Sequence, residues 1–97
     1  MYARVSIAQA QSGKIDEVIR IHRDSVVPAC KKQKGFKGLY LLSDRKTGKG
    51  ITISLWKTEA DMTAGENSGF YQQQVAKFKE VLSATPVREA YEVSVQP

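Results

Sequence analysis

No stretch of this chain is apolar for long enough to cross a membrane, since a spanning helix needs about 20 such residues. The opening thirteen residues lack the basic start and apolar run of a secretory signal. Cysteine occurs once, at Cys30, which excludes an internal disulfide and a metal site built on several thiolates. Histidine and tryptophan also occur once each, at His22 and Trp56. There is no Cys-x-x-Cys, no glycine loop placed to cradle a phosphate before a helix, and no Ser–His–acid signature. These absences lead to the expectation of a cytoplasmic protein with no membrane segment and no metal.

What is present suits a small folded unit. The 97 residues are 41% hydrophobic, too many for a disordered chain, and are read as a single domain spanning 1–97. A domain of this size buries a modest share of its surface, and association of copies is a common remedy. The net charge is +5, with its densest basic run, KKQKGFK, at 31–37. Such a run can touch phosphates. It also falls at an expected helix C-terminus, where the helix dipole favours cations, and that reading is preferred.

The order of elements follows from periodicity and punctuation. Residues 2–8 alternate and are rich in β-branched side chains, as a strand does. Residues 14–34 show a helical stripe of Ile15, Ile19, His22, Val26, Ala29 and Cys30, with Ser12 or Gly13 as cap and Gly35 as stop. Pro28 lies inside it, so a kink or break is expected at 24–27. Residues 36–44 and 51–57 read as two strands joined by a glycine-containing loop, hence antiparallel. Thr58 and Asp61 form a capping-box pattern for a short helix to about Glu66. Asn67, Ser68 and Gly69 interrupt it, and Ser68 can cap a second helix over 69–83. A last strand covers 87–95. The result is α+β, a ferredoxin-like βαββαβ order with a split second helix, a four-stranded antiparallel sheet and both helices on one face.

That arrangement leaves one sheet face without helices, yet the strands carry apolar residues on both. Leu39 and Leu41 alternate with Tyr40 and Leu42, and Ile51, Ile53 and Leu55 alternate with Thr52, Ser54 and Trp56. A patch of that extent marks a partner surface, and the simple partner is a second copy packed sheet to sheet.

The segment GFKGLYLLSDRKTGKGITISLWKTEADMTAGENSGFYQQQ and the closing PVREAYEV resemble the antibiotic biosynthesis monooxygenase domains of the dimeric α+β barrel superfamily. The matching features are the Gly-Phe-x-Gly strand opening, the Leu-Trp-Lys-Thr strand end, the acidic capped helix and the Ser-Gly-Phe-Tyr restart. The resemblance covers nearly the whole chain. It implies a homodimer through the sheet face and a pocket between each sheet and its helices. Some members oxidise quinols or aromatic polyketides with O₂ and no cofactor, and others degrade haem. The haem branch uses an Asn, a Trp and a His where this chain aligns Ser6, Gly65 and Val75, so haem degradation is not expected.

His22 is the candidate catalytic residue. Two readings stand: a histidine satisfied by hydrogen bonds at a core edge, or a pocket base that takes a phenolic proton near neutral pH. Trp56, Phe70 and Tyr71 are candidates for an aromatic binding wall roofed by the broken helix, with simple aromatic packing as the alternative. Tyr40 and Tyr91 lie on strands and face either the pocket or the interface, since a one-residue slip exchanges the faces; Tyr40 is counted among the pocket candidates. Arg4 and Ser6 share a face of the first strand and can supply polar groups. The ligand expected is a small aromatic, quinol- or polyketide-like. A non-catalytic ligand-binding or structural dimer is the alternative. An RNA-recognition module has the same strand order, but Ile51 and Ile53 stand where stacking aromatics belong, so nucleic acid is not favoured.

Overall fold

The computed structural model describes residues 1–97. Strands β1 (Tyr2–Gln9), β2 (Phe36–Asp44), β3 (Lys49–Trp56) and β4 (Val87–Glu92) form one sheet in the order β2-β3-β1-β4. Every neighbouring pair is antiparallel. The register sets Ser6 opposite Thr52 on one side and opposite Arg88 on the other. Directly opposed residues share a face, so Arg4, Ser6, Thr52, Ser54 and Trp56 look one way. Val5, Ile7, Ile51, Ile53 and Leu55 look the other. A register shift between Phe36 and Gly38 brings the Phe36 ring edge-on to Trp56, with 5.5 Å between centroids.

The first helical stretch is α1 (Ile15–Ile21), a π-helical turn over His22–Val26, and α2 (Val27–Cys30). The break expected around Pro28 is this π turn. Proline has no N–H and crowds the carbonyl four residues back, here Asp24. The widened turn, in which the Val27 N–H reaches the His22 carbonyl, accommodates that crowding without ending the helix. The start differs from expectation. Lys14 flanks α1 with no side-chain cap, because a turn closed by Lys14 N–H to the Gln11 carbonyl (2.9 Å) and Gly13 at φ +77° intervenes.

The second helix is split as read: α3 (Glu59–Asn67) and α4 (Phe70–Ala76). Thr58 caps α3 by accepting from the Asp61 N–H at 3.0 Å. Gly69 flanks α4 at φ +84°, a left-handed conformation glycine adopts at little cost, so the cap position falls one residue beyond Ser68. The α-helical part ends at Ala76, short of the expected Ser83. Beyond it the N–H groups of Phe78 and Val81 turn back only three residues. The carbonyl of Val81 and the N–H of Ser83 are instead taken by Gln11 and Gln9 at the end of β1. Phe78 and Val81 thereby join Ala10, Val18, Val26 and Cys30 in the core. The last strand stops at Glu92, which is opposite Tyr2, the first residue of β1; Val95, expected in the strand, is 90% exposed.

All helices lie against one sheet face. The other exposes Tyr40, Leu42, Val87 and Tyr91. No helix is long and apolar enough to cross a membrane.

Loss of the Thr58 cap leaves a first-turn N–H of α3 without its acceptor. Thr58→Ala is expected to lower the unfolding free energy by about 1 kcal/mol, read as a lower urea midpoint at unchanged slope.

Candidate functional site

Between the sheet and the helices lies a cavity of about 90 Å³. Its floor is a row of polar residues on the two central strands: Arg4 and Ser6 from β1, and Thr52 and Ser54 from β3. Trp56 closes one end of that row. Phe70 and Tyr71, from the first turn of α4, line the opposite side. The break at Gly69 precedes those two rings, and the Tyr71 hydroxyl comes to Ser6 in the middle of β1. An apolar, aromatic cavity with a few convergent polar groups is the usual form of a small-molecule site.

His22 enters from the π turn. Its Nδ1 lies 2.9 Å from the Val18 carbonyl and its Nε2 lies 3.0 Å from Thr52 Oγ1. The ring packs on Phe78 at 4.5 Å between centroids. Burial pushes the imidazole pKa below its ordinary value, only partly opposed by the Val18 hydrogen bond. The neutral ring carries one proton, and a carbonyl can only accept. Nδ1 therefore donates to Val18, and Nε2 accepts from the Thr52 hydroxyl.

Trp56 is buried and its indole N–H donates to Ser54 Oγ at 3.0 Å. On the β1 side of the floor, directly across from Ser54, Arg4 is 5% exposed and forms an ion pair with Glu66 of α3. Arg88 of β4 reaches the second oxygen of the same carboxylate at 3.3 Å. Both guanidiniums also lie by the Tyr71 ring, 5.1 and 5.2 Å from its centroid, within cation–π range. The Tyr71 hydroxyl and Ser6 Oγ are 3.0 Å apart. Two cations share one carboxylate, so this side of the cavity is net positive. Cys30 also lines the cavity, but burial pushes its thiol up to about 11, which leaves it protonated and a poor nucleophile near neutral pH.

Of the residues singled out from sequence, His22, Trp56, Phe70, Tyr71, Ser6 and Arg4 come together around this cavity. Tyr40 does not. It pairs with Ile53 and is 62% exposed on the opposite face, so it is corrected from a pocket residue to a residue of the uncovered face. Tyr91, opposite Ala3, lies on that face too. Sequence reasoning passed over Thr52, Ser54, Glu66 and Arg88. The first two carried a signal: a helix-covered strand face that reads Thr-x-Ser-x-Trp is too polar for a plain core.

No family model matches the chain. Among curated proteins it is 36% identical over 98 residues to the uncharacterized protein Rv2557 of Mycobacterium tuberculosis, covering 97% of this chain and 41% of that protein. A second uncharacterized protein of that organism, Rv2558, is 39% identical over 64 residues, 66% of this chain and 27% of its own length. The chain thus spans less than half the length of the curated relatives it matches. Among solved structures, SnoaB, a cofactor-independent oxygenase from Streptomyces nogalater, superposes with a TM-score of 0.77 at 11% identity, over 98% of this chain and 94% of that one. A Deinococcus radiodurans protein provisionally named an antibiotic biosynthesis monooxygenase gives 0.79 at 13% identity, over 100% and 96%. The chain has the antibiotic biosynthesis monooxygenase fold. At these identities the likeness is one of architecture, and it meets the resemblance read from the sequence at that level. Within that fold, the cavity here is built from this chain's own polar floor and aromatic roof.

The buried His22 makes stability depend on pH. Its pKa is lower folded than unfolded, so the unfolded chain binds a proton that the folded one does not. Stability from this group is fully present above about pH 6.5, the unfolded value, and is lost as pH falls toward the folded pKa. Urea midpoints measured between pH 7.5 and 5 are expected to decline on the acid side, and the part of that decline due to His22 should vanish in His22→Gln.

Proposed function

We propose that this chain binds a small aromatic phenol in the cavity and oxygenates it with O₂, without a cofactor, as one subunit of a homodimer. The observation that carries the reading is a neutral imidazole whose bare nitrogen connects to an aromatic-lined cavity through one hydroxyl. A phenol held against Thr52 passes its proton to Thr52 Oγ1 while the Thr52 proton moves to His22 Nε2. The transfer is uphill. An ordinary phenol titrates near 10 and imidazole near 6.5 or below, a gap worth at least about 5 kcal/mol. The phenolate is therefore a transient species, formed when O₂ is there to take its electrons and helped by the net positive charge of Arg4, Arg88 and Glu66. For an activated ring CH₂, one O₂ delivers one oxygen atom as a carbonyl, and the other leaves as water with the two hydrogens lost. All electrons come from the substrate. The cofactor-independent oxygenase named for a protein of the same fold supports this chemistry.

The uncovered sheet face supports the dimer. Its central strands present Val5, Ile7, Ile51 and Ile53, flanked by exposed Tyr40 and Tyr91. Aliphatic side chains there offer no stacking platform for bases and suit a second apolar sheet. A second reading is a ligand-binding protein with no turnover. It is favoured by one fact: both His22 nitrogens already have partners within the chain.

Oxygen uptake with anthrone-type phenols and reduced quinols tests the reaction. Uptake is expected for the native chain, and His22→Ala should lower kcat by about 10²-fold or more with a smaller change in KM. Unchanged turnover removes His22 from the mechanism, and no uptake with any of these substrates favours the second reading. Light scattering tests the dimer: a mass near twice 10.8 kDa is expected, falling to the single-chain mass in Ile53→Lys, whereas a native monomer rejects it.

A further inference from the structure

We infer that the cavity reads its ligand through two hydroxyls of opposite hydrogen-bond sense, and so takes an aromatic ring with a hydroxyl at one end and a carbonyl at the other. The inference deepens the reading above and rests on it, since it takes the cavity as the ligand site.

The sense of each hydroxyl follows from a fixed partner. The Val18 carbonyl can only accept, so it holds the single imidazole proton on Nδ1 of His22, 2.9 Å away. Nε2 is then a bare lone pair, and the hydroxyl 3.0 Å from it must point its proton at it. Thr52 has one proton, and that proton is spent. Toward the cavity Thr52 shows lone pairs only and is an obligate acceptor. At Ser54 the order is reversed. The indole N–H of Trp56 can only donate, and it donates to Ser54 Oγ at 3.0 Å. The Ser54 proton itself has no acceptor within the chain. Ser54 is 9% exposed, so a ligand that leaves that proton unpaired loses a hydrogen bond that bulk water would supply. Toward the cavity Ser54 is a donor.

Both residues line the cavity. They stand two apart on one strand, hence on one face and about 6.6 Å from each other along β3. That spacing is comparable to the span of one ring with a polar group at each end. A ligand hydroxyl donates to Thr52 and a ligand carbonyl accepts from Ser54. A ligand that puts an acceptor against Thr52 brings two sets of lone pairs together. A ligand that puts an apolar group against Ser54 strands the proton. Sites built this way reject analogues that lack the matching group more sharply than apolar pockets reject a missing methylene.

The test is calorimetric binding of three closely sized probes to the native chain: 4-hydroxyacetophenone, acetophenone and 4-ethylphenol. The first is expected to bind at least about tenfold more tightly than either of the others, one net hydrogen bond each. Thr52→Val should bring 4-hydroxyacetophenone down to the level of acetophenone and leave acetophenone unchanged. Ser54→Ala should close the gap between 4-hydroxyacetophenone and 4-ethylphenol, weakening the first and tightening the second, which no longer strands a proton. Ethylbenzene, with no polar group, reports an intact cavity in every variant. Equal binding of the three probes to the native chain overturns the inference without recourse to any variant, and so does a Thr52→Val effect confined to acetophenone. If ethylbenzene and all three probes fail to bind, the cavity reading falls and the inference falls with it. If the binding order holds while no substrate drives oxygen uptake, the inference stands and only the proposed reaction fails.

Discussion

The antiparallel pairing of β1 with β3 puts polar side chains under the helices, and much else in the structure answers to that placement. Arg4, Ser6, Thr52 and Ser54 lie on the covered face, where a small protein would gain most from leucine and isoleucine. A buried polar group costs free energy unless it is hydrogen-bonded, so each needs a partner. His22 supplies one to Thr52, Trp56 to Ser54, Tyr71 to Ser6 and Glu66 to Arg4. No buried side-chain nitrogen or oxygen is left without a hydrogen bond. The partners come from four different helical segments and strand ends, and the polar floor thus fixes where the roof can sit.

The two irregular helices make that docking possible. An unbroken α-helix through Pro28 would meet the steric conflict at Asp24; the π turn absorbs it and carries His22 at its first position. π turns inside helices often occur at functional sites. The break at Gly69 does the same for Phe70 and Tyr71. In both places the chain departs from regular helix at the residues that line the cavity.

Much of this could be read from the sequence. Alternation located the strands, the Thr58–Asp61 pattern located α3, and proline and glycine located both helix irregularities. The strand faces were also legible, because Ile51-Thr-Ile-Ser-Leu-Trp56 separates cleanly into two sets. Which set met the helices was not, since a period of two is symmetric until a partner element is fixed. Tyr40 was misplaced for that reason. The end of α4 was missed because Phe78 and Leu82 keep a helical spacing while the backbone of Val81 and Ser83 bonds Gln11 and Gln9 instead of a further helical turn. The sharing of Glu66 by Arg4 and Arg88 could not be foreseen: it depends on three segments far apart in the chain.

The strand order also sets a timetable. Only β2 and β3 are close in sequence, joined by the short loop at 45–48. Central strand β1 waits for β3, which begins forty residues after β1 ends, and then for β4. Loop closure must precede those pairings, so a chain dominated by them folds slowly compared with a helical bundle of its length. The β2–β3 hairpin is the natural nucleus. Until β4 arrives, one edge of β1 is open, and that edge is the place where an unfinished chain can pair with another copy instead of with itself.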